Sequence, residues 1–233
     1  MQLKPIQIGN IEINCPVILA PMTGVTDMPF RKIVRQFGSG LNVTEMIASQ
    51  AMIRETRQSI QKCEWDAIEE PVSMQLVGCT PYEMGEAAKL NEDRGASIID
   101  INMGCPVRKV VNGDAGSALM RDVPLATKLI EATVKAVSVP VTVKMRMGWC
   151  HDSLNSPELA HIAEDLGATA SVDPAAGDVI TQIAGETGLV PGGVVLHQHV
   201  AAFRVPLDQP THEAIDHQCI VVGDHRCMQS VLA

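Results

Sequence analysis

Three observations predict an α/β fold of the (β/α)8 TIM-barrel type, incomplete, with about five of eight strand–helix units recognisable. Short apolar, β-branched runs begin near residues 17, 41, 71, 98 and 141, and each is followed by a helical pattern. The residues closing those runs are Pro21-Met22, Glu45, Gln75, Asn102 with Cys105, and Lys144 with Arg146, so every polar group of interest falls at a carboxyl end. A barrel gathers its chemistry along that whole edge, whereas a doubly wound sheet concentrates its ligand at one switch point. Neither GxGxxG after the first strand nor GxxxxGK[ST] occurs, which removes the two common nucleotide-binding folds.

The first strand, Val17-Ile18-Leu19-Ala20, ends on Pro21-Met22-Thr23-Gly24. The next element is a helix over 29–37, in which Phe30, Ile33, Val34 and Phe37 recur at helical spacing, Arg31, Lys32 and Arg35 are expected to face out, and Gly38 closes it. Leu41-Asn42-Val43-Thr44-Glu45-Met46 reads as a second strand, followed by a polar helical stretch containing Arg54 and Arg57. Pro71 to Leu76 is the third strand. The helix after it starts at Thr80-Pro81-Tyr82-Glu83, the pattern of an N-cap, a proline at the first helical position and a capping-box glutamate.

Ile98-Ile99-Asp100-Ile101 is the fourth strand and suits a parallel strand buried on both faces. It runs into Asn102-Met103-Gly104-Cys105-Pro106, where Gly104 permits a close turn and Pro106 stops further pairing, presenting the Cys105 thiol just beyond the strand. A helix over 124–137, a strand over 141–146 and a helix from Ser156-Pro157 to Leu166 complete the alternation, which implies right-handed βαβ units and a parallel sheet.

Composition bounds the function. Over 233 residues, 46% hydrophobic and 19% charged describe an ordinary globular chain, and 3% aromatic means a core of Ile, Val, Leu, Met and Ala. A net charge of −9 argues against a generic nucleic-acid binder, and no DNA partner is expected. No signal peptide and no apolar run of membrane-spanning length is visible, so no membrane association is expected. The seven cysteines lack a CxxC pair and read as reduced thiols, which points to the cytoplasm.

The pattern changes after Ala168. Residues 169–233 hold none of the eight lysines, five of the seven histidines, and two arginines against seven acids, a net charge of −5. This segment is read as a divergent tail of unknown fold, an out-of-frame or otherwise aberrant continuation, with 1–168 as the amino-terminal part of the barrel. Within it, His197-Gln198-His199 and the later His217, Cys219, His225 and Cys227 have spacings that fit no regular zinc motif, so no metal is expected.

Taken together, Ala20-Pro21-Met22-Thr23-Gly24-Val25-Thr26-Asp27, Thr44-Glu45-Met46, Gln75-Leu76, Asn102-Met103-Gly104-Cys105-Pro106 and Val143-Lys144-Met145-Arg146-Met147-Gly148 resemble the bacterial tRNA-dihydrouridine synthases, in their nitrogen-regulation-type branch, over about residues 5–168. The resemblance implies an FMN-carrying barrel that reduces the C5–C6 bond of uridine in tRNA with NADPH as electron source. It implies that Pro21, Met22 and Thr23 line the isoalloxazine, that Gln75 and Lys144 hydrogen-bond it, and that Asn102 helps hold the uracil. Cys105 is implied as the proton donor to C5 while hydride reaches C6. A thiol with a reference pKa of about 8.5 is protonated at neutral pH and suits that role, and a lysine near the flavin stabilises negative charge on the reduced ring. Glu45 reads as scaffolding, and Arg108 and Lys109 as either RNA-facing or a solvated loop.

The sequence departs from that family after residue 168. The Val-His-Gly-Arg, Gly-Asn-Gly-Asp and Gly-Arg-Gly motifs and the helical RNA-binding domain that follow there in the family are not in this chain. Two other functions therefore stay open: a catalytically incompetent truncated remnant, and a flavin barrel acting on a free pyrimidine in the manner of a dihydroorotate dehydrogenase.

Overall fold

The computed structural model describes residues 5–150, 152–172, 200–203 and 219–222. The chain begins with an antiparallel hairpin of β1 (Ile6–Ile8) and β2 (Ile11–Ile13), turned through Gly9 at φ 57. Then come β3 (Ile18–Leu19), α1 (Met28–Gln36), β4 (Leu41–Val43), β5 (Ile47–Ala48), α2 (Ser49–Ile53) and α3 (Arg57–Cys63). Next are β6 (Val72–Val77), α4 (Pro81–Asp93), β7 (Ile98–Met103), α5 (Arg108–Val111), α6 (Val123–Ala136), β8 (Val141–Met145), α7 (Ser156–Asp165) and β9 (Thr169–Val172). Two 3-10 turns, Ala67–Glu69 and Gly116–Arg121, and a separate antiparallel pair, β10 (Val200–Phe203) and β11 (Cys219–Val222), are also described.

The main sheet is wholly parallel, in the order β3-β4-β6-β7-β8-β9, with β5 also paired to β6. This is a curled section of a barrel, and it is incomplete: β3 and β9 stand at its two ends. All five expected strands are present, and β9 adds a sixth parallel strand in register with β8. The second expected strand is divided. Val43 opposes Ser73 and Ile47 opposes Leu76, so four steps along one strand match three along the other. The extra residue in Thr44–Met46 is a bulge, a device that re-aims a side chain at a sheet end.

Registered residues share a face, which sorts the strands into two sides. Met74, Leu76, Ile99, Ile101, Met103, Val141, Val143 and Met145 form the outer side, packed against Met84, Ala88, Leu129, Ile130, Leu159 and Ala163 of α4, α6 and α7. The inner side carries Ser73, Gln75, Asp100, Asn102, Thr142 and Lys144. Toward its amino end it turns apolar, where Leu41 and Ile98 pack against Ile8 and Ile13 of the hairpin. The fourth strand is therefore not apolar on both faces. It alternates, with Ile99, Ile101 and Met103 outward and Asp100 and Asn102 inward.

Three local expectations are corrected. Arg31 does not face out: it is 1% exposed, and its Nε donates to Glu69 Oε2 at 2.6 Å. Its other nitrogens donate to the carbonyls of Thr26 (2.9 Å) and Glu64 (2.7 Å). Conversely Ile33 and Phe37, expected in the core, are 53% and 67% exposed. The physical reason is position: α1 connects β3, at the end of the sheet, to β4, and a buried ion pair anchors the helix in place of its apolar stripe. The expected capping box on α4 is also absent, since Thr80 makes no side-chain cap and the Glu83 carboxylate accepts from Gln50 Nε2 at 3.3 Å. Pro81 occupies the first helical turn as expected.

Candidate active site

The inner side of β6, β7 and β8 carries one continuous row of hydrogen bonds. Gln75, Asp100 and Thr142 are register partners on neighbouring strands, and Asn102 and Lys144 are partners one pleat nearer the carboxyl end. Thr142 Oγ1 donates to Asp100 Oδ1 at 2.6 Å, and Gln75 Nε2 donates to Asp100 Oδ2 at 2.6 Å. Asn102 Nδ2 donates to Gln75 Oε1 at 2.8 Å. Asn102 Oδ1 in turn accepts from the backbone N–H of Gly104 (3.2 Å) and of Cys105 (2.9 Å). An Asn side chain bonded to the backbone two and three residues on forms a turn that competes with strand continuation, so the chain leaves the sheet here.

The Cys105 turn is fixed from its other side as well. Ser117 N donates to the Cys105 carbonyl at 3.0 Å. Gly116 sits at φ 60, where a Cβ would meet Cys105 O at 2.6 Å and Val110 Cγ1 at 2.8 Å. Gly116→Ala is therefore expected to cost about 1–3 kcal/mol from left-handed strain and overpacking. A lowered urea midpoint would show it; an unchanged midpoint would mean that the turn relaxes freely.

The loop after β3 is built separately. Thr26 Oγ1 accepts from Met22 N at 3.0 Å and donates to Met22 O at 3.2 Å, fixing the backbone at Met22. The bulge between β4 and β5 aims Glu45 at this loop, where Oε1 accepts from Gly24 N at 2.6 Å. The neighbouring Thr44 Oγ1 accepts from Gln75 N at 3.1 Å, which ties the bulge to the polar row. Pro21 and Met22 are half-buried and Thr23 is exposed, at the same edge as the Cys105 turn.

Of the residues singled out from the sequence, the structure thus joins Gln75, Asn102 and Cys105 directly and sets Lys144 in the same row. Pro21, Met22 and Thr23 precede Gly24, whose N–H is held by Glu45, and the adjacent Thr44 holds Gln75 N. Arg108 and Lys109 are exposed on α5, just past Cys105. His197, His199, His212, His217, His225 and Cys227 lie outside the described residues. Sequence reasoning missed Asp100, although a carboxylate inside an isoleucine run is a signal in itself.

Burial pushes the Asp100 carboxyl up to about 6, while the Gln75 and Thr142 hydrogen bonds and the Lys144 charge pull it back toward the ionised form. Between about pH 4 and pH 6 the folded protein therefore holds a proton that the unfolded chain has released. Stability falls as pH rises through that window, by at most about 1.4 kcal/mol per pH unit. Urea midpoints measured from pH 4 to 7 should show this slope in the parent and not in Asp100→Asn; parallel profiles would refute the assignment. Asp66 and Glu92 are held below the usual carboxylate range by side-chain hydrogen bonds from Lys32 and Ser138, and they act equally in both proteins.

The thiols differ in setting. Cys63 is buried under α2 and α4, its sulfur 3.2 Å from Asn91 Oδ1, and burial pushes it up to about 11, the state of an inert core thiol. Cys105 is half-buried at the functional edge.

A family model described as dihydrouridine synthase (Dus) matches residues 18–172. Among curated proteins, a probable tRNA-dihydrouridine synthase of Rickettsia bellii is 61% identical over 165 residues, 70% of this chain and 50% of that one. A tRNA-dihydrouridine synthase B of Xanthomonas campestris is 49% identical over 164 residues, 70% of this chain and 49% of that one. The chain spans about half the length of the curated relatives it matches. Among solved structures, histamine dehydrogenase from Rhizobium sp. 4-9 superposes with a TM-score of 0.51 at 11% identity, covering 73% of this chain and 36% of that one, a likeness of fold alone.

Proposed function

The chain belongs to the dihydrouridine synthase family, and from that premise we propose that it is the amino-terminal part of a flavin-dependent oxidoreductase that reduces uridine in tRNA. The observation that carries this reading is the single edge at which Gln75, Asn102, Lys144 and the Cys105 turn meet. FMN, when bound, supplies a hydride to uracil C6, with NADPH as the electron source.

The residues present fit a flavin ring. Gln75 keeps one unused N–H and one unused lone pair after its bonds to Asp100 and Asn102, enough to address the polar edge of a flavin pyrimidine. Ser73 Oγ, buried on the same inner side, has no hydrogen-bond partner among the described residues and marks unspent polar capacity. Pro21, Met22 and Thr23 offer the ring a wall held rigid by Glu45 and Thr26. Lys144 would supply a cation to balance negative charge on the reduced ring. The second amide hydrogen of Asn102 meets only Met46 Sδ, at 4.0 Å, a weak acceptor that a uracil carbonyl would displace, and Cys105 would give its thiol proton to C5.

The purified chain should bind FMN and, with NADPH, form dihydrouridine in tRNA lacking that modification, as read by nucleoside mass spectrometry. Activity on free dihydroorotate instead of tRNA would move the assignment to the free-pyrimidine alternative. A specific observation favours the catalytically incompetent remnant as the second reading: the composition changes sharply after Ala168 and the family match stops inside the chain, at residue 172. A soluble protein that fails to take up added FMN would establish that reading.

We further propose that residues 1–168 are the family's barrel part and 169–233 a divergent, out-of-frame tail. The composition break after Ala168 and the extent of the family match, to residue 172, support it. Translating the other two reading frames of the coding DNA tests it: no Val-His-Gly-Arg or Gly-Asn-Gly-Asp downstream would refute it. The proposed compartment is the cytoplasm, with tRNA as partner; among the described residues no helix is long and apolar enough to cross a membrane.

A further inference from the structure

We propose that Asp100 is a positioning residue that sets the polarity of the Gln75–Asn102 amide pair and thereby holds the Cys105 turn in one geometry. This rests on the reading of Cys105 as the proton donor for its functional meaning, although the positioning itself involves no flavin.

Two amides bonded side by side have two polarities, since each presents one donor end and one acceptor end. What surrounds the pair decides between them. An ionised carboxylate accepts only, so Asp100 Oδ2 demands the Gln75 amino group, which it meets at 2.6 Å. Gln75 Oε1 is then the atom left for Asn102, and Asn102 Nδ2 donates to it at 2.8 Å. Asn102 Oδ1 is thereby turned toward the backbone, where it accepts from Gly104 N and Cys105 N at 3.2 and 2.9 Å. With the opposite polarity, the Asn102 amino group would face two backbone donors, and the turn carrying Cys105 would lose both of its side-chain anchors.

Asp100 is well placed for this and for little else. It is 5% exposed, one pleat below Asn102, and Thr142 Oγ1 engages its other oxygen at 2.6 Å. Its chemistry is thus committed to neighbouring side chains rather than to a substrate. The information it supplies passes through two amides to a backbone turn, entirely on adjacent strands.

The test reads the thiol directly on the full chain, without flavin or tRNA. Iodoacetamide alkylation of Cys105 is followed by peptide mass spectrometry, with exposed Cys150 as the internal reference. Asp100→Leu is expected to raise the Cys105 rate about tenfold, the equivalent of losing one net hydrogen bond to the turn, and to leave the Cys150 rate unchanged. Asp100→Asn is expected to stay within about twofold of the parent, because Asn Oδ1 can still accept from Gln75 while the Thr142 hydroxyl rotates to accept from the new amino group. That rescue separates orientation from bulk stability, which thermal melts monitor in parallel. Gln75→Met, which cuts the row between Asp100 and Asn102, should reproduce the Asp100→Leu rate and keeps the test open should Asp100→Leu not fold. An unchanged Cys105 rate in folded Asp100→Leu or in Gln75→Met would overturn the proposal, as would a tenfold change in Asp100→Asn. Failure to bind FMN would defeat the proposed function and leave this result standing.

Discussion

Replacing Glu69 by leucine is expected to cost the fold about 3–5 kcal/mol, the range for removing one partner of a buried ion pair. Glu69 is 0% exposed and Arg31 1%, and their contact at 2.6 Å lies where water cannot compensate either charge. Glu69 Oε1 also accepts from Asp66 N at 3.1 Å in a capping box, so the same carboxylate closes the short 3-10 turn at Ala67–Glu69. Without it, Arg31 keeps only the carbonyls of Thr26 and Glu64 as neighbours and remains a cation in a dry site. The loss should appear as a lowered urea midpoint at unchanged slope. Arg31→Met in the same background should recover part of it, because an apolar pair of similar volume avoids the uncompensated charge. A Glu69→Leu midpoint within experimental error of the parent would show that water reaches the pair. The effect extends to the functional edge, since Arg31 holds Thr26, and Thr26 fixes Met22.

Cys105→Ala is expected to lower dihydrouridine formation by about 10²–10⁴-fold, the usual contribution of a positioned general acid. In the proposed cycle the thiol serves only the uracil half, so oxidation of NADPH by the flavin should continue. The measurement is two rates on one preparation: loss of NADPH absorbance without tRNA, and dihydrouridine appearance with it. Retention of the second rate in Cys105→Ala would remove the thiol from the reaction. A parallel fall in both would assign it to the flavin instead.

The strands were legible because each is short, β-branched and bounded by turn residues, and their order followed from handedness rules that admit few alternatives. The functional edge was legible for the same reason: polar residues that end parallel strands arrive at one rim. The Glu69 contact was not, since Arg31 sits far from it in sequence and no helical pattern announces a buried guanidinium. Treating Phe30, Ile33 and Phe37 as a core stripe assumed a neighbour on both sides of α1, which a helix at the end of a sheet does not have. Asp100 was passed over because Ile98 to Ile101 reads as a continuous apolar run. Period-two counting over Ser73, Gln75, Asp100, Asn102, Thr142 and Lys144 reveals the polar side at once. Thr80 illustrates the limit of motif reading, since its identity and extended backbone fit a capping box, yet its side chain makes no cap bond and the Glu83 carboxylate is taken by Gln50.

The polar row from Gln75 to Lys144 lies on three strands that are consecutive in the sheet and, as parallel neighbours, consecutive in the chain. Its assembly order follows from that. A ribosome releases the chain from its amino terminus at about 5–20 residues per second, and the last member of the row emerges with β8, ahead of α7 and everything after it. The hairpin that covers the inner face at Leu41 and Ile98 has by then been outside for the whole interval. Every loop closed in making the row is one crossover between adjacent strands of the sheet, so the entropic cost of bringing its members together stays low. The candidate site is in this sense an early product of synthesis, complete before the segment whose composition departs from the rest has left the ribosome.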